Sequence, residues 1–377
     1  MGTVLAAVKG LAAPETGRAY ERARELWEQL GSPSEFMRIP FGQNRYYTFR
    51  GELDLAQRVA EDLLRLSRQR NDPAGLVLGH QACGSSQMLA GKFALSRSHL
   101  EEALELYDPI SHRSPVGQFA SRPDVISQGY LAMVLFCLGF PDQALAQGDA
   151  AVARAKRLDH SPSLAGTLSL GTPLLVLIGD SAGLREWADQ MASVSAEQRF
   201  SFWRALATAY SGLAKVDKGD FVEGISLLCD GAAAFRATGA ETMIPFLFGL
   251  LATALATSGQ IEKALVQLDD AVRIVNRTGE RWFAAELYRY KGQLLLRQGD
   301  SEAAEELYCK ALSIAREQDA KMWELRAAMS LARLSRDQGR RAEARDLLAP
   351  VYGWFTEGFD TQDLKDAKAL LDELEGG

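Results

Sequence analysis

Four histidines (His80, His99, His112, His160) and four cysteines (Cys83, Cys137, Cys229, Cys309) are the side chains here that could ligate a metal or act as nucleophiles. A zinc site needs thiols or imidazoles at short spacing, and an H-E-x-x-H helix puts two imidazoles one turn apart with a glutamate between them. No two cysteines lie within forty residues of each other, and each sits in an apolar helical run, so all four read as reduced core residues. The histidines share no close helical face and lie in no H-E-x-x-H setting. "GSSQMLAGKF" at 84–93 is the nearest approach to a phosphate-cradling loop, but its spacing is wrong and Phe93 stands where Ser or Thr must follow the lysine. No stretch reads as a sheet that could carry paired metal-binding carboxylates. The expectation is a chain with no catalytic, cofactor-binding or metal-binding residue.

Binding chemistry is better represented. At thirteen, ten, six, three and two residues before Gly299 stand Glu286, Arg289, Gln293, Leu296 and Arg297. The same positions before Gly339 are Arg326, Met329, Arg333, Arg336 and Asp337. Before Gly259 they are Phe246, Gly249, Thr253, Ala256 and Thr257, mostly small and apolar. Guanidinium forks match carboxylates and phosphates. The set Phe246, Glu286, Arg289, Gln293, Arg297, Arg326, Arg333 and Arg336 therefore suits a protein or peptide with an apolar stretch and an acidic segment.

Those residues share a face only if each glycine closes the same kind of helix pair. The glycines Gly51, Gly91, Gly139, Gly179, Gly219, Gly259, Gly299 and Gly339 recur every 40 residues, with one interval of 48. A fixed period of this length marks a repeat array. After Gly299, the residues Ala304, Leu307, Tyr308, Ala311, Leu312 and Ala315 form one stripe of a helix. Asp300, Ser301 and Glu302 place acceptors and negative charge at its start. Small residues recur where two antiparallel helices must cross: Ala56, Ala144, Ala264, Ala304 and Ala344 five after the glycine, and Gly84, Ala132, Gly212, Ala252, Gly292 and Ala332 seven before it. Each unit reads as helix, tight turn, helix. Trp203, Trp282 and Trp323, sixteen or seventeen before a turn glycine, read as packing between repeats.

Small residue, turn glycine, alanine, large apolar residue and alanine at these offsets resemble the tetratricopeptide repeat, here with a period of 40 instead of the usual 34. "GERWFAAELYRYKGQLLLRQGDSEAAEELYCKALSIAREQ" and "LAPVYGWFTEGFDTQDLKDAKALLDEL" further resemble the C-terminal tetratricopeptide region of a large bacterial family. In that family an adenylate cyclase (class III) or winged-helix domain precedes a STAND-type AAA ATPase. The resemblance implies a regulatory region of a cyclase/ATPase signalling system, acting in cis or in trans on that module.

The expected architecture is all-α: residues 1–377 as one right-handed solenoid of about eight helix pairs. Residues 1–35 form a partial first repeat, 36–358 the repeats with an insertion loop at 107–125, and 359–377 a capping helix. Leu364, Ala367, Leu370, Leu371 and Leu374 give that last helix its apolar stripe. Pro173 predicts a kink or shortening of the first helix of its repeat. A net charge of −7 argues against a nucleic-acid surface. The longest apolar run, at 243–256, is short of a bilayer span, so neither nucleic acid nor membrane is expected as a partner and the location expected is cytoplasmic. Two functions fit: a non-catalytic scaffold for a protein or peptide, or a sensor holding a small effector inside the superhelix.

Overall fold

The computed structural model describes residues 2–33, 36–107 and 121–375. Every regular element in them is a helix. Two helices, α1 (Gly2–Val8) and α2 (Pro14–Gln29), precede eight pairs. The pairs are α3 (Arg38–Arg50) with α4 (Leu53–Gln69), α5 (Pro73–Leu89) with α6 (Phe93–Glu105), α7 (Pro123–Leu138) with α8 (Pro141–Arg157), and α9 (Ser161–Ile178) with α10 (Ser181–Gln198). They continue as α11 (Ser201–Val216) with α12 (Phe221–Ala237), α13 (Ile244–Thr257) with α14 (Ile261–Thr278), α15 (Ala284–Arg297) with α16 (Ser301–Glu317), and α17 (Lys321–Asp337) with α18 (Arg341–Tyr352). α19 (Gln362–Glu375) ends the array. This is a tetratricopeptide-like solenoid.

Each pair turns at its glycine, and all eight glycines have the positive φ that a side chain would resist. Asp72, Asp180, Asp220 and Asp300 cap the helices that follow them through their carboxylates. Pro141 opens α8, where its missing N–H costs nothing. Crossings occur at the small residues. A Cβ on Gly231 would fall 2.4 Å from the Ala209 backbone nitrogen, so α11 and α12 approach almost backbone to backbone. Ala56, Ala144, Ala264, Ala304 and Ala344 are all fully buried.

α9 runs through Pro173 as one 18-residue helix, so the expected shortening does not occur. Its Thr172 hydroxyl donates to Leu168 O at 2.7 Å, and Gly171 admits the Trp187 ring. α9 also carries no charge and is long and apolar enough to cross a membrane; 67% of it is buried inside the array. Of the loop expected at 107–125, residues 108–120 lie outside the described residues, and α7 already begins at Pro123. Cys83 and Cys137 are buried, but Cys229 and Cys309 are exposed, against the reading of all four as core residues: they lie on the outer faces of α12 and α16.

The superhelix closes on itself. The end of α3 meets the segment before α13, where Glu241 N donates to Phe49 O at 2.8 Å. The end of α5 meets the start of the next repeat along, where Arg281 N donates to Leu89 O at 2.7 Å. The turn at Gly139 packs on Lys321, Trp354 and Phe355. There the Glu357 carboxylate accepts from the backbone N–H groups of Asp142 and Gln143, each at 3.0 Å, capping α8 from the far end of the chain. Each of the first three pairs thus meets the pair five units later. The inner helices become interior elements: α7 is buried along nearly its whole surface, and apolar all round as such a helix must be.

Candidate binding site

Closure decides which of the expected groove residues face solvent. Phe246 is fully buried, 5.3 Å from the Trp282 ring and 5.0 Å from the Phe283 ring. Glu286 is also fully buried, and Arg326 nearly so. These three are corrected from contact residues to interior ones, because the early repeats and α19 cover the face on which they stand. Trp282 and Trp323 are fully buried too, and the Trp323 indole donates to Trp282 O at 2.9 Å, linking consecutive repeats.

Glu286 and Arg326 belong to a neutral cluster of four charges. Arg326 donates to both Asp363 oxygens at 2.9 and 2.7 Å, to Glu286 at 3.1 Å and to the Leu177 carbonyl at 2.6 Å. Arg289 donates to both Glu286 oxygens at 2.6 and 2.8 Å. Burial would lower the Arg326 pKa, but the Asp363 and Glu286 carboxylates outweigh it and raise it. Burial likewise pushes Glu286 up, and Arg289 and Arg326 pull it below the ordinary carboxylate value. α19 extends this neutralisation outward: Asp366 lies 3.7 Å from Arg333, and Glu373 2.6 Å from Arg336. The apolar stripe of α19 is buried as expected, while Asp363, Asp366 and Glu373 on its other side pair with the arginines of α17.

The open part of the inner face lies between α13 and α15. Thr253, Ala256, Thr257, Tyr290, Gln293, Leu294 and Arg297 line a depression of about 70 Å³. Arg297 is exposed, and among the described residues it has no carboxylate partner. Gln293 is half-buried beside it. Of the expected arginines, Arg297 is the one left with its charge unanswered.

A second space lies along the superhelix axis, at residues the sequence reading did not name. Three adjoining compartments, of about 30, 30 and 40 Å³, share wall residues. Arg38 and Arg45 of α3 line it with Tyr20, Tyr130 and Trp203. The signal was present: Arg38 and Arg45 stand thirteen and six residues before Gly51, the offsets that select Glu286 and Gln293 before Gly299.

His80 and His99 do meet, with Nδ1 atoms 3.1 Å apart across α5 and α6, although the sequence reading kept them separate. Burial and then His99 lower the His80 pKa to about 4. Among the described residues no three His, Cys, Asp or Glu side chains converge as a metal site.

Residues 244–317, spanning α13 to α16, match the tetratricopeptide repeat family. The fold is thus a tetratricopeptide-like solenoid, and these two helix pairs carry the sequence pattern of that repeat. Over 343 residues the chain is 24% identical to an uncharacterized protein of Rhizobium meliloti (strain 1021), covering 90% of this chain and 33% of that protein. The chain therefore spans a third of the length of this relative. Among solved structures it is similar to a Rap protein complexed with competence and sporulation factor (TM-score 0.56, 13% identity, 91% of this chain and 98% of that one). It is also similar to the apo form of the quorum sensor NprR from B. thuringiensis (TM-score 0.52, 12% identity, 93% and 97% coverage). These likenesses are of fold.

Proposed function

We propose that this chain is a non-catalytic binding module that takes a protein or peptide with an acidic segment in the depression between α13 and α15. The observation that carries this reading is Arg297, an exposed guanidinium beside Thr253, Thr257 and Gln293 with no internal carboxylate. Arg289, Arg333 and Arg336 flank it, but each already pairs with a carboxylate of this chain, so they contribute less to a partner. The module serves as the regulatory arm of a cyclase/ATPase-type signalling system in the cytoplasm. Two supports stand behind that context: the phrase-level resemblance of residues 279–318 and 348–374, and a relative three times as long.

Capture of partners from native extract tests it, with the full chain as bait at low and high salt. A partner held through Arg297 is released by salt and lost with Arg297→Glu, and is retained with Arg336→Glu. A partner that survives Arg297→Glu at both salt concentrations contradicts the reading. A second reading, a sensor for a small effector inside the superhelix, is favoured by the axial chamber lined by Arg38 and Arg45.

A further inference from the structure

Arg38 and Arg45 differ from Arg326 in one respect that bears on function. All three stand on inner helices, but Arg326 has two carboxylates against it, whereas among the described residues neither Arg38 nor Arg45 has one. Burial lowers the pKa of both, opposed only by tyrosines: Tyr107 and Tyr20 for Arg38, Tyr130 and Tyr20 for Arg45. An arginine stays charged even so. Two cations drawn out of bulk water without a counter-charge are costly unless an anion joins them.

Independent of the arginines, Gln81 points to a missing partner in the same space. It is 4% exposed, lines the compartment that holds Arg45, and its side-chain carbonyl oxygen receives no hydrogen bond. A buried acceptor left open costs free energy and calls for a donor, such as a water ordered beside the occupant, because an ionised carboxylate can only accept. The wall is also built to let the tyrosine in: a Cβ on Gly42 would fall 2.1 Å from the Tyr20 ring.

Size and polarity restrict the occupant. One water needs roughly 10–15 Å³ of such volume. Each compartment, at about 30 to 40 Å³, therefore admits a head group or a few carbons, and no bulky side chain. The compartment furthest from Arg38 is walled by Met88, Leu89, Met133, Leu206, Phe235 and Trp282. It joins the Arg45 compartment through Phe49, Tyr130 and Phe202, which line both.

We propose that the axial chamber binds a small organic carboxylate with an unbranched apolar tail, the head group at Arg38 and Arg45 and the tail toward Met133 and Phe235. The inference rests on the sensor reading above and names its ligand class. The partner surface at Arg297 lies on other helices and is separate from it.

The test titrates the full chain with octanoate, octan-1-ol and inorganic phosphate, by calorimetry and by thermal melting. Octanoate should bind at least tenfold more tightly than either of the others and raise the melting temperature. Arg45→Met should weaken octanoate by roughly tenfold or more, the effect of losing a charge-assisted hydrogen bond, and Arg45→Lys should weaken it less. If Arg45→Met fails to fold by circular dichroism, the ratio of octanoate to octan-1-ol in the unaltered chain still decides. Equal binding of octan-1-ol overturns the anion assignment while leaving a chamber that takes ligands. Equal binding of phosphate overturns the tail. No binding by any of the three overturns this proposal, and the sensor reading falls with it only if a thermal-melting screen of other small metabolites also raises no melting temperature.

Discussion

Replacing Asp363 by Asn tests whether the four-charge cluster holds the closed array together. In the native chain Arg289 and Arg326 balance Glu286 and Asp363. The substitution leaves one surplus positive charge among side chains that are 10% exposed at Arg326 and 1% at Glu286. Breaking a buried pair by removing one partner costs about 3–5 kcal/mol, because the remaining charge is desolvated without compensation. Glu286 and the Leu177 carbonyl still hold Arg326, so the lower end of that range is expected, about 3 kcal/mol. Asp366→Asn is the matched control on the same helix. Its pair with Arg333 spans 3.7 Å with both side chains more than 40% exposed, so it should cost less than about 1 kcal/mol. The assay is equilibrium unfolding in urea followed by circular dichroism and tryptophan fluorescence. The six tryptophans run from Trp27 to Trp354, and Trp323 lies 5.3 Å from Arg326, so the fluorescence reports on the array with one probe at the cluster. Closure also predicts that the two signals move together, since α17 is tied to α7 and α9 as well as to its neighbours in sequence. Equal losses from the two variants would refute the reasoning, as would loss of the fluorescence signal well before the helical signal.

Glu280 gives a prediction in pH. It is buried, it accepts from Met243 N and from the Trp282 indole, and burial pushes its pKa from 4.5 up to about 7 despite those donors. The folded state then holds a proton that the unfolded state releases, so stability falls as pH rises from 4.5 to 7 and levels off above. The gap corresponds to about 3 kcal/mol. Urea midpoints for the native chain minus those for Glu280→Gln, taken across that window, should carry this slope; a flat difference contradicts it. Gly231→Ala should destabilise by several kcal/mol or prevent folding, because its Cβ would meet the Ala209 backbone. Gly259→Ala, whose Cβ would meet nothing within 4 Å, should cost only about 1 kcal/mol from its positive φ, and thermal melts distinguish the two.

Much of the fold was legible because a repeat states its rules many times. The turn glycines, the small crossing residues and the α19 stripe each follow from local pattern. The positions that face inward were legible as offsets from the turn glycine, and the same offsets before Gly51 select Arg38, Phe41, Arg45, Thr48 and Phe49, all of which line the axial chamber. What was not legible is which inner positions remain open. That depends on the superhelical pitch, a sum of small rotations between repeats that no single repeat encodes. The pitch brings Gly139 against Trp354 and carries the Leu177 carbonyl to Arg326. The pairing of α19 with α17 had a trace in the charges, since Asp363, Asp366 and Glu373 step along one helix as Arg326, Arg333 and Arg336 step along the other.

The most direct test of partner binding is site-specific photo-crosslinking in native extract, from one position inside the α13–α15 depression and one outside it. A photoreactive residue at Thr257, in the depression, should capture a partner, and Arg297→Glu in the same chain should abolish the capture. The same residue at Val266, on the outer face of α14 and 56% exposed, should capture nothing that depends on Arg297. Capture from Val266 and not Thr257, or capture from Thr257 that survives Arg297→Glu, would contradict a binding module built on the unpaired arginine of the α13–α15 depression.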